Sequence, residues 1–565
     1  QQEVTDQLGY QVRRAVAVLI RSLDRIDRDR QRALLRDLEP EKLYEAALTV
    51  MMRLVFLLFA EERQLLPLGE RLYDENYAAS TLLAQLQEVS SRQDEAFLEQ
   101  KCDAWSRLLS LFRVVHDGIS HQDLSLRAYD GRLFDPDRFP VLEGRLPGTN
   151  WREIEAQPLP IDNRTVLHLL HALQYLQVKS SGGVEARRLS FRALDIEQIG
   201  HVYEGLLDHT ARRATSPHLG LTVKGTKYAE EGVEIPLSLL EDRLQTKGED
   251  GLLTLLSEVT GHTRERLKRD LNTTLDAHEL DRLRAVCEND EALFQRVKTF
   301  AGLLRTNSFG EPVVILPGAF YMTSGTDRRT TGTHYTPRTL TKPMVEYTLE
   351  PLVFSGPAEG LEKPDWRLHM PAELLNLKVC DMAMGSGAFL VESCRYLARR
   401  LVESWEQVEM RYPRPVTITP EGELAAGKLN EIIVPADPEE REALARRLVA
   451  ERCLYGVDKN PLAVEMAKLS LWLITLSKER PFTFLDHALR AGDSLLGVNL
   501  EQLQTFSMEA GSKNVAGFAL EWVAAEIEPA LLYALEKRAE LRAIPDDDLA
   551  QIERKKKLLA EVEQA

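Results

Sequence analysis

The stretch Asp381-Met382-Ala383-Met384-Gly385-Ser386-Gly387-Ala388-Phe389-Leu390 decides the fold that this sequence predicts. It follows the apolar run Leu374 to Cys380, which is typical of a buried parallel strand, and it precedes a helical pattern from Glu392 to Arg400. Strand, glycine turn and helix in this order begin a nucleotide-binding α/β unit, in which Asp381 at the strand end accepts hydrogen bonds from a ligand. The glycines alone are equally compatible with a tight turn that binds nothing, so the neighbouring motifs have to decide.

Two further strand ends follow this turn. The run Cys453 to Asp458 predicts a second strand that ends in an acid, and Leu462 to Ser477 predicts the helix after it. A carboxylate at that position can accept hydrogen bonds from both hydroxyls of a ribose. A third strand is predicted at Phe482 to Leu485, and it leads to Gly492-Asp493-Ser494, where a carboxylate can face an adenine amine. The segment between residues 411 and 440 contains five prolines and is predicted to be an insertion.

A hydroxyl-rich loop, Thr331 to Pro337, precedes the glycine turn and leads into a helix predicted at Leu340 to Leu349. The backbone N–H groups and hydroxyls at a helix start can hold an anionic group such as a carboxylate. Taken alone, this loop is better explained as an ordinary helix cap.

Residues 1 to about 310 have helical periodicity almost throughout, which predicts a mainly α N-terminal domain.

His168 and His171 are one helical turn apart, but no third ligand accompanies them, so satisfied core or groove histidines are favoured over a metal site. The run Lys555-Lys556-Lys557 near the end of the chain is predicted to be a solvated helix face, because acidic residues surround it.

Composition limits the function classes. The chain has 565 residues and a net charge of −17, which argues against a wholly basic protein that coats nucleic acid but leaves room for a local DNA-binding surface. The five cysteines are scattered and are predicted to be reduced, buried thiols. The longest apolar run, Ala46 to Ala60, is interrupted by Arg53 and is too short to span a bilayer. With no signal peptide at the N-terminus, the sequence predicts a cytoplasmic protein without membrane contact.

In their fixed order, Thr333-His334-Tyr335-Thr336-Pro337, the glycine turn, Gly456-Val457-Asp458-Lys459-Asn460 and Gly492-Asp493-Ser494 resemble the motifs of N6-adenine DNA methyltransferases. More narrowly, the chain is similar to the large type IIG restriction–modification enzymes and to the methyltransferases of BREX and DISARM phage-defence systems. Leu54 to Leu66 and Ile199 to Leu207 add to this resemblance. It implies a Rossmann-like, S-adenosylmethionine-dependent methyltransferase domain after the helical domain.

The resemblance also implies which residues bind S-adenosylmethionine. The loop before the first helix and the glycine turn would hold the methionine part, and these residues are Thr333, Tyr335, Thr336, Asp381, Met384, Gly385 and Gly387. Asp458 would take the ribose, and Lys459 or Asn460 would flank the adenine. Asp493, with Ser494 beside it, would face the adenine amine. No metal ligand is expected.

One departure from the family is informative. The family's catalytic Asn-Pro-Pro-aromatic tetrad is absent, because no Asn-Pro-Pro occurs in the sequence. We therefore expect a partial methyltransferase domain that supplies the cofactor site and is inactive as this chain alone. The expected divisions are a helical domain at 1–310, the cofactor-binding half at 311–498 and a helical insertion or connector at 499–565.

The expected partners are double-stranded DNA and either the rest of the same polypeptide or other subunits of a defence system. Two alternatives remain open. The first is a related methyltransferase that acts on RNA or protein, and the second is a subunit that binds the cofactor or supports assembly without transferring a methyl group.

Overall fold

The structure is a computed structural model. It describes residues 2–180, 183–191, 200, 206, 209–225, 231–307, 309–324, 336–428, 431–477, 480–496, 518–546 and 548–564. Helices predominate and the sheets are small, so the chain is a mixed α/β protein.

The N-terminal part contains seven α-helices and two β-hairpins among the described residues. The helices are α1 (Gln2–Asp29), α2 (Pro40–Glu62), α3 (Arg71–Asn76), α4 (Ala79–Gln93), α5 (Glu95–Leu98), α6 (Asp103–Asp117) and α7 (Asn163–Gln174). The antiparallel hairpins are β1 (Ile119–His121) with β2 (Leu124–Leu126) and β3 (Tyr175–Ser180) with β4 (Gly183–Arg188).

A second unit lies, in sequence, between the two strands of an antiparallel ribbon. The ribbon strands are β5 (His209–Arg213) and β9 (Phe320–Ser324). Between them lie β6 (His218–Thr222), β7 (Gly232–Pro236), β8 (Val314–Ile315), α8 (Leu237–Thr260), α9 (Arg264–Leu271), α10 (Ala277–Val286) and α11 (Glu291–Lys298). The sheet has the order β7-β6-β8, and the unit has its own hydrophobic cluster of residues between Leu219 and Leu303.

The remaining part contains the glycine turn. Its helices are α12 (Arg338–Val353), α13 (Pro371–Asn376), α14 (Ala388–Glu409), α15 (Pro438–Arg452), α16 (Pro461–Thr475), α17 (Phe518–Ala543) and α18 (Leu549–Gln564). Its strands are β10 (Phe354–Ser355), β11 (Arg367–Leu368), β12 (Val379–Asp381), β13 (Leu454–Asp458) and β14 (Leu489–Ala491). The last three form one parallel sheet in the order β12-β13-β14.

One hydrophobic core joins the N-terminal helices to this parallel sheet. It includes residues from Leu8 to Ala211 and from Phe320 to Leu489, so it crosses the boundary predicted near residue 310. Phe482 is central to it, with its ring centroid 5.1 Å from that of Phe56 and 4.9 Å from that of Trp472. The domain boundaries themselves stay predictions.

A buried arginine reinforces the same junction. The Arg138 guanidinium donates to Glu465 on α16 at 2.6 Å and to Glu45 on α2 at 2.9 Å, and its side chain is 7% exposed. Lys468 also pairs with Glu465, at 3.0 Å. The helix after Asp458 is therefore held against the N-terminal helices by apolar packing and by paired charges.

Helix α2 is long and apolar enough to cross a membrane, but 94% of its most apolar window is buried inside the protein. It is the core helix around which the N-terminal part packs. The five cysteines are free thiols; Cys287, Cys394 and Cys453 are buried as predicted, whereas Cys102 is partly exposed and Cys380 is exposed.

Several sequence predictions were wrong. Residues 1–310 are less helical than predicted, since β1 to β7 lie among them. The apolar run from Leu374 was predicted to be a strand, but Pro371 begins α13 and the Glu373 carboxylate accepts the Met370 N–H at 2.9 Å, so a helix buries these leucines.

The third strand was also misplaced. Residues Phe482 to Leu485 are buried but form no strand, because their N–H groups have other partners. Phe482 donates to the Tyr129 carbonyl at 2.9 Å, and Phe484 donates to the Asp546 carboxylate at 2.7 Å. The strand that joins the sheet is β14, a few residues later.

Candidate functional site

The three parallel strands end at one edge of their sheet. Asp381 of β12 is paired in register with Gly456, and Asp458 of β13 is paired with Ala491 of β14. Because parallel strands present their carboxyl ends at the same edge, three loops meet there. We name them the first loop (382–387), the second loop (459–460) and the third loop (492–496).

The first loop is a glycine turn that is tied to the neighbouring strand. Gly385 and Gly387 have φ angles of 54° and 85°, which favour glycine. Met384 donates its N–H to the Val457 carbonyl at 3.0 Å, and Gly385 donates to the Asp458 carboxylate at 2.9 Å. Gly387 caps the start of α14, so the turn ends where a helix presents free N–H groups.

Gly387 also needs space that a side chain would fill. A Cβ atom there would lie 3.0 Å from the Cβ of Ala467 on α16. The turn is therefore closely packed between the sheet and the helix that follows Asp458.

We predict that Gly387→Ala lowers the free energy of unfolding by about 1–3 kcal/mol, through backbone strain and this contact. Chemical denaturation measures the loss. Gly427→Ala is the matched control, because Gly427 has a φ of 71° but nothing within 4 Å of its Cβ position. Glycine inside a helix costs about 0.5–1 kcal/mol by itself, so Ala467→Gly is measured alone and together with Gly387→Ala. The loss caused by Gly387→Ala should be smaller when Ala467 is glycine. Equal losses in the two alanine variants would contradict the close packing.

Asp458 links the first loop to the second. One carboxylate oxygen accepts the Gly385 N–H, and the other accepts the Asn460 N–H at 2.8 Å. The residue is only 9% exposed. Each oxygen keeps one lone pair, so a ribose hydroxyl would share this carboxylate with the loops.

Asp381 lies half-buried at the end of β12. Its carboxylate accepts the Ala383 N–H at 3.1 Å. Burial raises its pKa above the usual aspartate value, and the neighbouring Asp458 carboxylate raises it further, while the Ala383 N–H opposes both effects. A cationic group placed here would be stabilised by both carboxylates.

The third loop contacts both of the other loops. The Ser494 hydroxyl donates to the Met382 carbonyl of the first loop at 2.7 Å. The Lys459 ammonium lies 3.3 Å from the Asp493 carboxylate, which also accepts the Leu495 N–H at 3.1 Å. The Leu495 N–H and then Lys459 lower the pKa of Asp493, so this carboxylate stays ionised. All three loops are thus connected.

Some predicted residues have other surroundings. The Met384 side chain is 4% exposed and packs against Gly456, where a Cβ would lie 2.2 Å from its sulfur, so it fills the space between the first loop and β13. The Asn460 side chain caps α16 by accepting the Leu462 N–H at 2.9 Å. Lys459 is exposed.

The structure describes only the last two residues of the predicted loop before α12. Thr336 precedes α12, whereas Thr333 and Tyr335 lie outside the described residues. Arg338, at the start of α12, lies 3.2 Å from the Glu392 carboxylate in the first turns of α14, which places this helix start beside the helix after the glycine turn.

An apolar rim at the same edge was not predicted from the sequence. Met382 is 66% exposed, Leu495 93% and Leu496 72%. Their position directly after strand ends was the available signal, but apolar side chains are normally predicted to be interior. Exposed apolar side chains beside carboxylates suit a ligand that has both an aromatic ring and polar or charged groups.

Within the part of the chain that the structure describes, no group of three or more His, Cys, Asp or Glu residues has the arrangement of a metal site. His168 instead contacts Glu95, with 3.2 Å between its Nε2 and the carboxylate. Comparison with models of known protein families gives no match to this chain. Comparison with curated protein sequences gives no match either.

Proposed function

We propose that the chain supplies the S-adenosylmethionine site of a DNA adenine-N6 methyltransferase that acts in bacterial restriction–modification or anti-phage defence. The observation that carries this proposal is the meeting of Asp381, Asp458 and Asp493 at one edge of a parallel sheet. They follow one another in the order found in the family that the sequence resembles. The sheet would then be half of a Rossmann-like methyltransferase domain.

The residues at this edge fit the parts of the cofactor. Asp381 and the glycine turn suit the methionine ammonium and carboxylate, since one offers a carboxylate and the other offers backbone N–H groups at a helix start. The remaining lone pairs of Asp458 suit the ribose, and Asp493 suits the adenine amine. The apolar rim would cover the adenine ring. When bound, S-adenosylmethionine supplies an electrophilic methyl group, and the protein orients it.

The proposed target is an adenine base of duplex DNA. A duplex adenine has to be flipped out of the stack before its amine can approach the cofactor. Among the described residues β12 pairs only with β13. A Rossmann-like sheet would continue on the side of β12 that faces away from β13, and the added strands would face the substrate. Double-stranded DNA in the cytoplasm is the proposed substrate, with other defence subunits as proposed partners.

A second candidate function is a subunit that binds the cofactor or supports assembly without catalysis. The absence of Asn-Pro-Pro from the sequence favours it. Radioactive methyl transfer to duplex DNA, to RNA and to protein, each with this chain alone and with added subunits, separates the candidates. Methylation of DNA by this chain alone would exclude the second candidate.

Calorimetric titration with S-adenosylmethionine and S-adenosylhomocysteine tests the cofactor site. We predict saturable binding of one ligand per chain, and at least about tenfold weaker binding by Asp381→Ala, because a charged hydrogen-bond partner is lost. Asp437→Ala is the matched control, since that carboxylate also accepts backbone N–H groups but lies at the start of α15. If the unaltered chain shows no binding, the proposed function is wrong.

A further inference from the structure

Lys555 on α18 is a buried cation, although the sequence predicted a solvated helix face. Its side chain is 1% exposed, and the ammonium donates to the Asp546 carboxylate at 2.5 Å and to the Glu451 carboxylate at 3.0 Å. Burial raises the pKa of Glu451 to about 7, and the neighbouring Asp546 adds to this effect. Without Lys555, two buried acids would lie together without a cation between them, which is costly.

Asp546 also contacts the segment before β14. Its second carboxylate oxygen accepts the Phe484 N–H at 2.7 Å. Its backbone carbonyl accepts from Arg447 at 2.9 Å, and the same guanidinium donates to the Pro481 carbonyl at 2.8 Å. These bonds replace the strand pairing that the sequence predicted at this segment, so the backbone of residues 481–484 is held in part by the hairpin of α17 and α18.

Apolar and ionic contacts extend the attachment up to β14. Phe484 packs into a small cluster that the hairpin completes with Leu541, Ile544, Ile552 and Leu558. His487 stacks on Phe484, with 5.7 Å between ring centroids. Arg490, inside β14, pairs with Glu563 of α18 at 2.5 Å. The third loop, which begins at residue 492, follows directly.

We propose that Lys555 is a positioning residue, through which the hairpin of α17 and α18 fixes β14 and hence the third loop of the candidate site. The hairpin would thereby set how well Asp493 is placed against the adenine end of the ligand. The identity of that ligand rests on the proposed function, whereas the ordering of residues 482–496 by Lys555 does not.

Hydrogen exchange on the full chain tests the ordering. We predict that Lys555→Met speeds amide exchange in peptides covering residues 482–496 by at least about tenfold, with exchange in α2 unchanged. Lys557→Met is the matched control, because Lys557 is exposed on the same helix two residues away. Unchanged exchange at 482–496 in Lys555→Met would overturn the proposal.

Ligand discrimination tests the positioning. S-adenosylhomocysteine is compared with its inosine counterpart, in which a carbonyl replaces the adenine amine. We predict that the unaltered chain prefers the adenine form and that Lys555→Met loses most of this preference. A role in stability alone would lower the unfolding free energy and leave the preference intact, and that result would also overturn the proposal.

A charge-neutral variant covers the case in which Lys555→Met unfolds the whole chain. Lys555→Met with Glu451→Gln and Asp546→Asn removes all three charges, so no buried charge is left without a partner. We predict that it restores slow exchange in α2 and part of the protection at 482–496. Fast exchange in α2 alone, with 482–496 protected, would overturn the proposal. If the unaltered chain binds neither ligand, the proposed function fails, and the exchange data still decide the role of Lys555.

Discussion

Phe482→Ala is expected to lower the free energy of unfolding by about 3–5 kcal/mol, the usual cost of truncating a buried phenylalanine. Phe482 is 3% exposed, and its ring contacts aromatic side chains from both parts of the large core. The centroid distances are 5.1 Å to Phe56, 5.7 Å to Tyr129, 6.4 Å to Phe134 and 4.9 Å to Trp472. Because the core is shared, the loss should appear in the N-terminal helices and in the parallel sheet together.

Native-state hydrogen exchange locates this loss, since it gives a separate opening free energy for each element. In Phe482→Ala, amides of α2 and of β13 should both exchange faster. Phe300→Ala is the matched control: Phe300 is 1% exposed but belongs to the separate hydrophobic cluster between Leu219 and Leu303. It should affect α8 to α11 and spare β13. Faster exchange in β13 with α2 unchanged would show that the helices and the sheet are separate domains.

Parts of the fold that depend on local signals could be predicted from the sequence. Asp381 and Asp458 end strands as predicted, and helices α14 and α16 follow them, because apolar runs, turn glycines and helix starts are local signals. Burial alone does not specify a partner. Phe482 to Leu485 is as apolar as a central strand, but its N–H groups bond to Tyr129 and Asp546, which are far away in the sequence.

The same limit applies to charged residues and to the N-terminal strands. Lys555 lies in a polar helix, and its burial depends on Glu451, which is 104 positions away. Strand β5 pairs with β9 across the whole second unit, so no local pattern could give that pairing. At the candidate site, strand ends showed which residues come together. The engagement of Asp458 with both the first and the second loop depends on backbone geometry that the sequence does not reveal.

Asp458→Ala is expected to weaken binding of S-adenosylhomocysteine by about a hundredfold or more while the chain stays folded. The substitution leaves the N–H groups of Gly385 and Asn460 without their acceptor, and each hydrogen bond to a charged group is worth about 1.5–3 kcal/mol. It also removes the proposed ribose ligand. Calorimetric titration measures the affinity, and hydrogen exchange at residues 383–391 measures how far the glycine turn loosens.

Two further variants separate the loop contacts from the ligand contact. Asp458→Asn keeps one acceptor oxygen but places an NH2 group where the other N–H donates, so its affinity should lie between those of Asp458→Ala and the unaltered chain. Asp437→Ala removes a carboxylate that accepts the Glu439 and Glu440 N–H groups, both at 3.0 Å, and should leave binding intact. If Asp458→Ala binds as tightly as the unaltered chain, Asp458 does not contact the ligand and the loop contacts it makes are dispensable for binding. If Asp458→Asn binds as tightly as the unaltered chain, one acceptor oxygen at this position is enough for binding, and the charge of Asp458 is not needed.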